Sequence, residues 1–100
     1  MSTVAIYSFL GRYAGKAEYE YNYPAPETVH KCMLFLTQTV EDELWDPAIL
    51  ECARYGFVDI APDGFGVMIP AVLDEDDYKG FRINYDEAVA LGSSLIYYAS

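Results

Sequence analysis

Residues 3–10 are apolar and rich in β-branched and aromatic side chains, and residues 16–23 alternate, with Ala17, Tyr19, Tyr21 and Tyr23 on one face and Lys16, Glu18, Glu20 and Asn22 on the other. A period of two predicts a strand for each segment. Gly11 and Gly15 suit a hairpin connection between them, and Pro24 and Pro26 end the second strand because neither can donate to a ladder. Residues 27–40 carry two patterns at once. Val29, Met33, Leu36 and Val40 fall at helical spacing behind Pro26, while residues 32–36 also read as a buried strand. Helix is the favoured reading, fraying before Glu41, Asp42 and Glu43, whose charges oppose the negative end of the helix dipole.

The next helix has a capping residue in Asp46, a proline at its first position in Pro47, and a left-handed stop at Gly56; it spans 48–55 with Ile49, Leu50 and Ala53 facing inward. Three antiparallel strands follow: 57–61, then 66–73 after a Pro62-Asp63-Gly64 turn, then 78–84 after an acidic loop. A last helix opens at Asn84 or Asp86, with Ala88, Leu91, Leu95 and Tyr98 in one stripe and Gly92 in its middle. The alternative ends that helix at Gly92 and makes 95–99 a strand. The order β-β-α-α-β-β-β-α gives an α+β fold: an antiparallel sheet of about five strands with two or three helices on one face.

With 100 residues, 53% of them apolar, the chain is one domain spanning 1–100 with a single core, and its apolar content excludes disorder. Sixteen acids against six Lys and Arg give a formal charge of -10. Each phosphate contact needs a cation, so direct nucleic-acid binding is disfavoured, and anionic membrane surfaces with it. No apolar run reaches the roughly 18 residues of a membrane span, and the first ten residues carry no basic segment or small-residue cleavage site. The expected location is cytoplasmic, with Cys32 and Cys52 as free thiols.

No motif names a reaction. His30 is the only histidine, and with Cys32 and Cys52 it falls short of the ligand number and spacing of a zinc site, so it reads as an ordinary packed or surface residue. Asp74, Glu75, Asp76 and Asp77 are consecutive, and consecutive carboxylates diverge rather than converge on a cation; they read as a solvated turn. Gly64-Phe65-Gly66 suits a hairpin rather than a phosphate loop, since no helix start with a lysine follows. With no nucleophile beside a base, the expectation is a protein with no catalytic residues, no metal and no cofactor: not an enzyme.

Acids and aromatics do cluster. Glu41, Asp42, Glu43 and Asp46 surround Trp45, Asp74, Glu75, Asp76 and Asp77 abut Tyr78, and Glu18 and Glu20 interleave with Tyr19 and Tyr21. Aromatics bury large areas at low rotamer cost, and a field of one sign steers an oppositely charged partner. These residues are the candidate partner-binding set, and a basic protein is the partner they fit. The plainer reading is that Tyr7, Tyr55, Tyr85, Tyr97 and Tyr98 build the core edge and that acidity serves solubility.

The run Trp45-Asp46-Pro47-Ala48-Ile49-Leu50-Glu51-Cys52, with its surrounding acids, resembles the small acidic immunity proteins of bacterial contact-dependent growth inhibition systems in size, charge and style. That group shares no sequence motif, so no residue role is carried over. The resemblance implies a cytosolic antidote that forms a 1:1 complex with a nuclease toxin domain, often tRNA-cleaving, and occludes its basic active site. The alternatives are a phage-encoded or other nucleic-acid mimic, with carboxylates spaced like phosphates, and a small-ligand domain whose function lies in an apolar pocket.

Overall fold

A computed structural model describes residues 2–69, 71 and 80–99. Among these residues the chain forms β1 (Thr3–Tyr13), β2 (Val29–Gln38), α1 (Trp45–Arg54), β3 (Phe57–Val67), α2 (Arg82–Leu91) and β4 (Ser93–Tyr97). The expected α+β class holds, with a four-stranded antiparallel sheet ordered β3-β1-β2-β4. About five strands and two or three helices were expected; four strands and two helices are found among the described residues.

Residues 29–38 form the central strand β2, not the favoured helix. Cys32 and Leu34 lie opposite Phe9 and Tyr7 of β1 and enter one core cluster with them, while Phe35 enters another cluster with Val4 and Met68. A strand buried on both faces loses its alternation of polarity. That is why helical spacing competed in the sequence.

The reverse error occurs at 16–23. This segment alternates but joins no ladder; it lies across the C-terminal end of α1, held by the amides of Glu18 and Tyr19 donating to the Arg54 carbonyl at 2.8 and 3.4 Å. Ala17, Tyr19 and Tyr21 pack against the core, so the period of two correctly separates inside from outside. The chain partner that would make it a strand is missing, because β2 and β3 already occupy the two edges of β1.

Helix α1 begins at Trp45 behind an N-cap at Leu44 that makes no side-chain capping bond, so Asp46 is a first-turn residue and not the cap. Its carboxylate still favours the positive end of the dipole. The inward stripe is Ala48, Cys52 and the following Tyr55, whereas Ile49, Leu50 and Ala53, expected inside, are exposed. Gly56 does terminate it, at φ 91°. A Cβ there would meet Tyr13 Cε1 at 2.5 Å and the Lys16 carbonyl oxygen at 2.6 Å, so space as well as φ demands glycine.

The Pro62-Asp63-Gly64 signal does not make a turn. β3 runs through it as an edge strand, and the register jumps from Ser8 opposite Gly64 to Phe9 opposite Pro62, leaving Asp63 as a bulge. Edge strands and bulges are where proline and turn residues are tolerated in sheets. Residues 82–84, expected to end a strand, open α2, which stops at Gly92 in the left-handed region and leads into β4. The alternative reading of the C-terminal segment, a helix ending at Gly92 before a strand, is therefore the right one. The acidic loop Asp74, Glu75, Asp76 and Asp77, with Tyr78, lies outside the described residues.

The helices do not share a face. Ala48 and Cys52 of α1 pack with Ala5, Tyr7 and Phe9, whereas Ala88 of α2 packs with Val4 and Phe35, their neighbours pointing the other way along the pleat. Both helices bridge strands that are not adjacent in the sheet. With α1 and the tyrosine segment covering one face, the second crossing covers the other and completes burial. No helix among the described residues is long and apolar enough to cross a membrane.

Candidate protein-interaction site

Two of the predicted acid and aromatic clusters come to opposite ends of α1, whose ten residues span about 15 Å. At the N-terminal end Glu41, Asp42, Glu43 and Asp46 are exposed. The loop carrying them is folded around two side chains: Gln38 Nε2 donates to the carbonyls of Val40 and Asp42 at 2.8 Å each, and the Leu44 amide donates to the Tyr7 hydroxyl at 2.9 Å. Tyr7 in turn donates to Gln38 Oε1 at 2.9 Å. One buried hydroxyl thus ties the acidic loop to the core. Trp45 stands edge-on to Tyr7 with ring centroids 5.0 Å apart, and its indole N–H donates to Glu43 at 2.6 Å. It is half-buried, serving the core with one part of the ring and the surface with the other.

At the C-terminal end the aromatics go inward and the acids stay out. Tyr19 and Tyr21 stand nearly perpendicular to the buried Tyr55 ring, at centroid distances of 4.7 and 5.6 Å. Every hydroxyl of this set is engaged inside the protein. Tyr19 donates to Glu51 Oε2 at 2.8 Å, Tyr21 donates to the Tyr55 carbonyl, and Ser93 Oγ donates to the same Glu51 oxygen at 2.5 Å. Since the single Ser93 proton goes to Glu51, Tyr55 is the donor in its 2.9 Å bond to Ser93. Burial, then the bond to Glu51, pushes the Tyr19 hydroxyl up to about 12. Burial also raises Tyr21 and Tyr55. Arg54 lies 4.7 Å over the Tyr19 ring and pairs with Glu18 at 3.6 Å and Glu51 at 3.4 Å.

Between the two ends, Asp46, Leu50 and Arg54 fall at i, i+4 and i+8 on the outward ridge of α1, and Leu50 is 70% exposed. Charged flanks around an exposed apolar centre are the anatomy of a binding surface. Glu51, Arg54, Ser93 and Tyr55 escaped the sequence reading as members of the site. Only Glu51 left a signal, an acid adjoining the inward stripe Ala48, Cys52 and Tyr55; the approach of Ser93 from β4 requires the tertiary fold.

Ser93 donates to a carboxylate, and His30 is buried elsewhere, with Nδ1 on the Tyr98 carbonyl and Nε2 on Thr28 Oγ1, each at 2.8 Å. Cys32 and Cys52 are free, buried thiols, each pushed up to about 12 by burial, which keeps them protonated and unreactive. Among the described residues no group of three or more His, Cys, Asp or Glu side chains is placed to hold a metal ion. Compared with known proteins, the chain matches no family model, no curated protein and no solved structure.

Proposed function

We propose that this chain is an immunity-type inhibitor, a cytoplasmic protein that binds a basic nuclease toxin domain 1:1 and occludes its active site without chemistry of its own. The observation that supports this reading is the placement of Glu41, Asp42, Glu43, Trp45 and Asp46 at one end of α1 and of Glu18, Tyr19, Glu20 and Tyr21 at the other, with the exposed Leu50 between them. A nuclease cleft that holds a polyanion is basic, so an acidic surface complements it and accelerates association. The half-buried Trp45 supplies the aromatic anchor such interfaces use. The toxin class in view cleaves tRNA as part of contact-dependent growth inhibition.

The test begins with the reading frame immediately upstream, which on this reading encodes a large secreted protein with a toxic C-terminal domain, and co-expresses the chain with that domain. Recovery of a 1:1 complex in which tRNA cleavage is blocked, with an association rate that falls as salt rises, is the expected result. A toxin domain that cleaves tRNA at full rate in the presence of excess protein overturns the reading.

A further inference from the structure

The second acid and aromatic cluster contains a groove that the interaction surface as a whole does not explain. Its volume is about 250 Å³, and it is lined by Tyr19, Glu20, Tyr21 and Tyr55 on one side and by Glu87, Leu91, Ser93 and Leu95 on the other. Tyr19 and Tyr21 meet Tyr55 at 62° and 71°, so ring faces and edges bound the space on adjoining sides. Because the hydroxyls are spent on Glu51, Ser93 and the Tyr55 carbonyl, the groove presents π surface and not phenol donors. Leu91 and Leu95 add an apolar wall, and among the described residues no lysine or arginine lines the site. Glu20 and Glu87 are exposed and form no ion pair among the described residues. A ring quadrupole and two exposed carboxylates around an apolar slot fit one ligand class: a cation on an aliphatic stem. The protein already makes half of this contact internally, with the Arg54 guanidinium over the Tyr19 ring.

We infer that this groove is the receptor for an arginine side chain of the basic protein partner, with the guanidinium against the tyrosine rings and shared by Glu20 and Glu87, and the methylene stem along Leu91 and Leu95. The inference rests on the proposed inhibitor function for the source of the arginine. Arginine is favoured over lysine because its planar fork bonds two carboxylates and stacks on aromatic rings at low desolvation cost.

The experiment uses the full chain and two probes, arginine amide and the isosteric but neutral citrulline amide, followed by NMR of the tyrosine rings. Arginine amide is expected to shift Tyr19, Tyr21 and Tyr55 resonances saturably, citrulline amide to leave them in place, and the double variant Glu20→Gln, Glu87→Gln to weaken the response about tenfold. Both glutamates are exposed, so the variant folds, and an unchanged thermal transition verifies it. Equal shifts with citrulline amide, no shift with arginine amide up to its solubility, or an unaltered affinity in the double variant overturns the assignment. Failure of the wider reading is separable: a toxin complex that forms normally with the double variant refutes the groove and leaves the inhibitor function standing. A groove that binds arginine amide in a protein with no effect on the toxin does the opposite.

Discussion

The two ends of α1 use the same residue types in different ways. At the C-terminal end Tyr19 and Tyr21 are anchored in the fold and leave only ring surface to the groove: their rings pack on Tyr55, their hydroxyls bond inward, and Arg54 partly neutralises Glu18. At the N-terminal end Glu41, Asp42 and Asp46 form no ion pair among the described residues, and the aromatic Trp45 is only half-buried. Composition alone treats these clusters as equivalent. The difference lies in the hydrogen-bond partners: a tyrosine with a buried acceptor packs onto the core, whereas a carboxylate on a loop pinned through its backbone keeps its charge in solvent.

The sharpest way to break this contrast is Tyr55→Ala, which removes the ring that both tyrosines rest on. It should cost about 3–5 kcal/mol in denaturant unfolding, while leaving Trp45 fluorescence native-like under conditions where the variant is folded. Gly56→Ala comes next. Strain at φ 91° and the approach to Tyr13 and Lys16 should cost about 2 kcal/mol or more, measured by the same unfolding midpoint.

Alkaline pH offers a third handle. The Tyr19 hydroxyl rises from an ordinary 10.0 to about 12, and Cys32 and Cys52 rise from 9.0 to about 12. These raised values mean that the unfolded chain ionises first. The stability these groups contribute is intact below about 9 and is lost as pH climbs toward about 12. The phenolate absorbance of Tyr19, read as the difference from a Tyr19→Phe variant, should therefore appear together with loss of secondary structure; a Tyr19 that titrates at its ordinary value in the folded protein would contradict the buried C-terminal cluster. The same burial predicts that both thiols resist alkylation until the protein unfolds.

A smaller effect is expected of Glu51→Gln, which weakens two charge-assisted bonds from Tyr19 and Ser93 and should lower stability by about 1–2 kcal/mol. The smallest is Asp42→Lys with Asp46→Lys. Both positions are exposed, so stability should change by no more than about 0.5–1 kcal/mol, while on the proposed inhibitor function association with a basic toxin domain slows and loses much of its salt dependence.

The sequence carries the fold unevenly, for physical reasons visible in particular residues. The strand over residues 3–10 and the stop at Gly56 are local, set by side-chain period and by one glycine, and both are legible, although the strand runs on through Gly11 to Tyr13 where a hairpin connection was expected. The identity of residues 29–38 is not local: it depends on β1 and β4 flanking them. Residues 16–23 have the period of a strand, but β1, their expected partner, is paired on both sides, and Pro62-Asp63-Gly64 becomes a bulge because β1 pulls that segment into its ladder. At the candidate site the acids and Trp45 are legible as a surface, but the inward turn of Tyr19 and Tyr21 depends on Glu51, Tyr55 and Ser93, which come from two later parts of the chain, the end of α1 and the start of β4.

The strand order has a consequence for synthesis. β1 and β2, the two inner strands, both precede residue 39, while the outer strands β3 and β4 and both covering helices follow. A ribosome therefore releases the middle of the sheet first, as an antiparallel pair with two open edges and apolar residues on both faces. Such a species is a template for intermolecular pairing until the rest emerges. Chains stalled or cleaved near residue 40 should be markedly more prone to aggregate than the finished protein, which makes the second half of the chain, in effect, a chaperone for the first.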